Sequence, residues 1–225
     1  MQEIIEFFRD TDILEITLNT LLMVFLSSVF AYIIGVPLGV IVVNTESDGL
    51  FPNKIVNKIL GVIINIGRSI PFVILLVALL PVTKFIVGTF IGVKGMIVPL
   101  TIAAIPFVAR LTEQSLKECN RGVIEAAKCM GMTNFQIIMK VMLVESFPSL
   151  IRGFSITTIT LVGYSALSNL IGTDSLGSFA VTWGYYRNDN TKMIILIVFL
   201  IIIVQIIHYG FELLANVVNK NKKGK

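Results

Sequence analysis

Charge is what this sequence has least of. Only 14% of its 225 residues are charged, where a soluble domain carries about a quarter. Acidic residues are missing from Ile16 to Val43, from Ile86 to Ala109 and from Met193 to Tyr209. Apolar runs of about 20 residues are long enough to cross hydrocarbon at about 1.5 Å per residue. A soluble globular domain is therefore excluded.

Other absences narrow the chemistry. The two cysteines, Cys119 and Cys129, and the single histidine, His208, form no CxxC or Cys/His spacing, which argues against a zinc site. If the segment holding the cysteines faces the cytosol, they stay reduced and serve as packing residues. No GxxxxGK[ST] occurs, so no P-loop can cradle ATP phosphates, and any use of ATP must come from a partner. The start, MQEIIEFFRDTDILE, lacks the basic n-region and small-residue cleavage site of a signal peptide. Residues 1–13 are expected to persist as an interfacial amphipathic segment.

The apolar residues that are present fall into five stretches, at about 14–43, 59–80, 96–115, 147–170 and 192–218. Together they predict an all-α membrane protein with one transmembrane domain over 14–218. Residues 44–57 read as a polar loop, Pro81 to Lys94 as a turn, and Ile171 to Asn190 as a Gly- and aromatic-rich linker. Basic residues orient the bundle. Lys54, Lys58, Arg110, Lys117, Arg121, Lys128, Lys140, Arg152 and the tail lysines 220, 222, 223 and 225 lie on one side, twelve in all. Five lie opposite: Arg9, Lys84, Lys94, Arg187 and Lys192. The N-terminus is expected outside and the C-terminus in the cytoplasm. The basic tail, 219–225, then faces anionic lipid and not nucleic acid.

Between the third and fourth stretches lies a charged island, NRGVIEAAKCMGMTNFQIIMKVMLVE, from Asn120 to Glu145. Asn120 is an N-cap candidate, and Gly131 can supply the positive φ that ends a helix abruptly. Thr133 and Gln136 have the capping-box spacing that starts another. Ala126 and Ala127 carry almost no side chain, so another protein could approach that short helix closely. A helix held crosswise between two longer ones can tilt both when pushed.

Glu125-Ala126-Ala127, Gly131 and Val141-x-Leu143 resemble the EAA loop of type I ABC importer permeases, whose pattern ends in proline where Val144 stands here. Further stretches are similar to the methionine-importer permeases: Arg68 to Phe72, Ile97 to Thr101, Pro106 to Arg110, Thr160 to Ala166, and Leu176-Gly177 followed by Trp183 to Tyr185. The resemblance implies a homodimeric permease in the bacterial cytoplasmic membrane, with two ATPase subunits below it and a methionine-binding lipoprotein outside. ATP and magnesium would sit on the ATPase, and the chain itself would bind no cofactor. Glu125, Ala126, Ala127, Gly131, Val141 and Leu143 would form the coupling element.

A path for the solute is less sharply written. Ser155, Thr158, Ser165 and Asn169 share one helical face, which either bonds to neighbouring helices or lines a passage. Arg68, inside a span, costs about 2.5–3.5 kcal/mol on insertion scales unless it pairs, snorkels or meets water. It reads either as a structural ion pair or as a counter-charge for a substrate carboxylate. Tyr164 is a gate candidate. The rival functions are a permease of the same superfamily for another small solute, a stand-alone channel or carrier, and a serine protease built on Ser165 and His208. Helix rise puts that serine and histidine about 12 Å apart in depth, too far for a dyad.

Overall fold

The computed structural model describes the backbone of residues 13–223 and the side chains of residues 13–219. The expected interfacial segment, apart from Ile13, and the side chains of the lysine tail lie outside the described residues. Among those described there is no strand.

Helix α1 covers Ile13–Asn44, α2 Lys54–Ser69, α3 Phe72–Ala78, α4 Leu80–Val87 and α5 Gly92–Lys117. The island holds α6, Arg121–Cys129, and α7, Asn134–Ile137. A π-turn at Ile138–Met142 leads into α8, Leu143–Ser165. After a 3₁₀ turn come α9, Leu176–Val181, a second π-turn at Thr182–Tyr186, and α10, Asn190–Lys223. Helices α1, α5 and α10 are each long and apolar enough to cross a membrane, and α2 with α3 passes the same test when the two are joined. Helix α8, which carries Glu145, Arg152 and several serines and threonines, is outside this group.

Three segments carry finer structure than their sequence reading. The stretch 59–80 is not one helix: α2 stops at Ser69, and Ile70 turns extended (φ −81°, ψ 122°). Pro71 causes this, because its ring disfavours helical backbone in the residue before it. Pro81 to Lys94, expected as a turn, holds α4 up to Val87, a turn at 88–91 and the start of α5 at Gly92. Pro81 sits in the first turn of α4, where a missing N–H costs nothing. The Gly- and aromatic-rich linker after Ile171 has helical structure of its own. Its buried serines organise it: Ser175 Oγ donates to the Ser165 carbonyl (2.7 Å), Ser168 Oγ donates to the Thr173 carbonyl (2.8 Å), and Ser175 with Ser178 forms a capping box for α9.

Contacts divide the described chain into two compact units. The first contains residues 13–29, 71–102 and 158–208. Its core joins Ile13, Ile16, Leu176, Ala180 and Leu196, with Trp183 and Phe199 packed on them. Thr20 Oγ1 accepts the Leu176 N–H at 3.0 Å, fixing the start of α9 on α1. Trp183 carries Arg187 and Lys192 over its ring, at 4.2 and 4.0 Å.

The second unit contains residues 30–70, 103–157 and 209–223. Here α1 and α5 approach so closely that a Cβ on Gly35 would lie 2.8 Å from Val108, and one on Gly39 2.6 Å from the Ala109 carbonyl. Small residues four apart permit such contact between membrane helices. Arg152 on α8 reaches Glu212 and Asn216 on α10, and Tyr32 donates to the Leu150 carbonyl at 3.1 Å.

Candidate coupling site

The island is built by caps. Asn120 accepts the Gly122 N–H at 2.8 Å and starts α6. Its other end closes in a Schellman arrangement. The Met132 N–H reaches the Ala127 carbonyl at 3.2 Å, and the Gly131 N–H reaches the Lys128 carbonyl at 2.9 Å. Gly131 has φ +78°, the left-handed backbone that this ending requires. Thr133 and Gln136 then exchange both bonds of a capping box and launch α7. Where the family pattern expects proline, Val144 lies inside a helix running without a break from Leu143 to Ser165. The irregularity sits just before it, as the π-turn in which the Leu143 N–H reaches the Ile138 carbonyl.

The two alanines divide the work that the sequence assigned to both. Ala127 is 1% exposed, in a cluster with Val43, Leu116, Ile137, Ile138 and Met142. Its small side chain lets α6 lie against its own chain. Ala126 is exposed, as are Glu125, Val123 and Gly131. Beside them Met130 is 75% and Phe135 69% exposed, and Met139 is exposed too. The island therefore presents a small-residue surface edged with large apolar side chains and one carboxylate. Val141 and Leu143 point the other way and pack on the buried cluster.

Sequence reasoning left the segment after α1 as a plain polar loop. In the structure it is fastened to the island. Arg121 pairs with Asp48, Asn134 Nδ2 donates to the Leu50 carbonyl at 2.9 Å, and Leu50 packs on the cluster around Ala127. Lys117 Nζ bridges Glu46 (2.7 Å) and Glu113 (2.9 Å), and Arg110 holds the second oxygen of Glu113 at 2.6 Å. A cavity of about 420 Å³ lies between this segment and α6, lined in part by Asn44, Glu46, Asp48, Lys117, Glu125 and Lys128. No local motif announces these ties, because they join residues some 70 to 84 positions apart. The Gly35/Gly39 contact was also missed; its four-residue spacing was the available signal.

The path candidates separate. Ser155, Thr158 and Ser165 are buried. Thr158 Oγ1 donates to Ser28 Oγ at 3.3 Å, and Ser165 Oγ donates to the Val162 carbonyl at 2.7 Å. Tyr164 is half-buried and stacks on Phe72, with ring centroids 4.6 Å apart. Asn169 is half-buried, and Arg68 is exposed, on the same stripe of α2 as Lys58, Gly61 and Asn65. His208 is exposed, and the Ser165 hydroxyl bonds within its own helix instead of awaiting a base. Among the described residues no group of His, Cys, Asp and Glu could hold a metal ion.

Residues 35–221 match the family model described as the binding-protein-dependent transport system inner membrane component. The chain is 49% identical over 195 residues to the probable D-methionine transport system permease protein MetI of Vibrio cholerae, covering 87% of each chain. It is 43% identical over 176 residues to the methionine import system permease protein MetP of Bacillus subtilis, covering 78% of this chain and 79% of that one. A chain from the MetNI methionine ABC transporter in an inward-facing conformation superposes with a TM-score of 0.88 at 41% identity, covering 92% of this chain and 95% of that one.

Proposed function

We propose that this chain, which belongs to the binding-protein-dependent transport system inner membrane component family, is the permease subunit of an ATP-driven methionine importer. The observation that carries the coupling role is the island. A capped helix is held to its own chain by Ala127 and offers Glu125, Ala126 and an exposed apolar rim to a partner. The relatives' names, D-methionine in one and methionine in the other, supply the substrate class. The chain is not an enzyme; ATP and magnesium belong to the ATPase on which the island sits.

The assembly is a homodimer of this permease, two cytoplasmic ABC ATPases and an extracytoplasmic substrate-binding lipoprotein, in a bacterial cytoplasmic membrane. Each chain contributes five spans, with its N-terminus outside and its C-terminus in the cytoplasm; α2 with α3 and α8 supply the two that are broken or polar. ATPase closure moves the islands, and the spans rock between inward-open and outward-open states. Of the pathway candidates, Tyr164 and Asn169 keep exposed surface in the first unit and Arg68 in the second, and each is a candidate on its own for contact with the solute.

Co-purification tests the docking role. An ABC ATPase should accompany the wild type and be lost with Glu125→Arg or Gly131→Pro. Retention by both variants would sink the reading.

A further inference from the structure

The transport reading leaves one well-built feature unused: residues 45–53, between α1 and α2. The segment has a fixed shape. Phe51 N–H bonds to the Asn44 carbonyl (2.8 Å), and Asn53 N–H bonds to the Thr45 carbonyl (3.0 Å). Gly49 lies so close to Asn44 that a Cβ would sit 2.4 Å from its carbonyl oxygen. Both ends are locked to helices. Asn53 caps α2 by accepting the Ile55 and Val56 N–H groups, and Asn57 Nδ2 on α2 donates back to the Val42 carbonyl on α1 at 2.8 Å.

From this frame three contacts reach the coupling apparatus: Asp48 to Arg121 on α6, the Leu50 carbonyl to Asn134 on α7, and Glu46 to Lys117 at the end of α5. An exposed ion pair alone contributes little. Here it is joined by an apolar contact of Leu50, and by a network anchored on Glu113, whose side chain is only 6% exposed. The cavity beneath means that segment and α6 meet through these side chains, without being packed into one block.

Covalent connection carries a load on α6 only into α5 and α8. We propose that residues 45–53 are a brace giving that load a second route, from the coupling helix into α1 and α2, with Glu46, Asp48 and Leu50 as its contacts. The proposal rests on the reading of α6 as the ATPase docking helix. Severing the brace leaves the ATPase bound and hydrolysing, while less of each stroke reaches the spans.

The test uses the complete complex in liposomes, with uptake and ATP hydrolysis measured in the same vesicles. Asp48→Arg faces Arg121 with a like charge, and the exchanged pair, Asp48→Arg with Arg121→Asp, restores attraction. Asn134→Ala removes the Leu50 tie without touching charge. Methionine imported per ATP should fall about threefold or more in each single variant, within the range for coupling changes at a contact. It should recover in the exchanged pair, with the amount of co-purified ATPase unchanged throughout. The brace is wrong if both single variants keep the wild-type ratio or if the exchange fails to restore it. It is also wrong if Asp48→Arg releases the ATPase, which would make the segment a docking surface. Failure of the docking reading itself shows separately, as no ATPase held by the wild type.

Discussion

Gly131 and Ala127 are small for different reasons, and substitution should separate them. Open space surrounds Gly131, so alanine meets no clash there and costs only the left-handed backbone, about 1–2 kcal/mol. Ala127 is enclosed, and Ala127→Leu forces a larger side chain into the cluster with Leu116 and Ile137, which costs about 1–3 kcal/mol. Thermal unfolding in detergent should rank Ala127→Leu as the more damaging, whereas Ala126→Leu, on the exposed side, should leave the melting temperature near wild type and weaken ATPase retention. If Ala126→Leu is the less stable of the two leucine variants, the division of roles is wrong. Ser165 offers a further residue-scale check. Its hydroxyl is spent on the Val162 carbonyl, so Ser165→Ala should retain uptake; complete loss would reopen a chemical role.

Helices differ in how far their own residues announce them. Both ends of α6 and the start of α7 were legible because caps are local: Asn120, Gly131, Thr133 and Gln136 each act within a few positions of themselves. The break at Ile70 was harder to read, since Pro71 lies in a run apolar enough to pass for one span. The turn after α8 was hidden for another reason. Its order comes from buried serines bonding to carbonyls up to ten residues away, and serine-rich sequence looks the same in a loose linker. Ser175→Ala should remove the α9 cap and leave the Ser165 carbonyl without that bond, costing about 1 kcal/mol or more. A melting temperature equal to wild type would contradict this account of the turn. The hydroxyl face of α8 was visible in the sequence, yet the chain's own packing takes up Ser155, Thr158 and Ser165. Periodicity reveals a face but not what covers it.

For the whole molecule, low charge was enough to predict a membrane protein, while the expectation that another protein drives it came from the island's resemblance to the EAA loop, and the relatives named for methionine import agree with that. What stayed illegible is the long-range fastening of residues 45–53 to the island, which leaves no mark within a single segment, whereas the Gly35 and Gly39 contact with α5 was signalled only by a four-residue spacing. Gly39→Leu should drive α1 off α5 at a point where a Cβ already overlaps Thr112, and folded protein recovered from membranes should fall sharply. The central claim is that work enters this chain only through its island. Reconstituted permease, ATPase and binding protein should import methionine only when ATP is supplied on the ATPase side, and Glu125→Arg should abolish that uptake. Methionine uptake by the permease alone, or uptake that persists without ATP, would contradict the account.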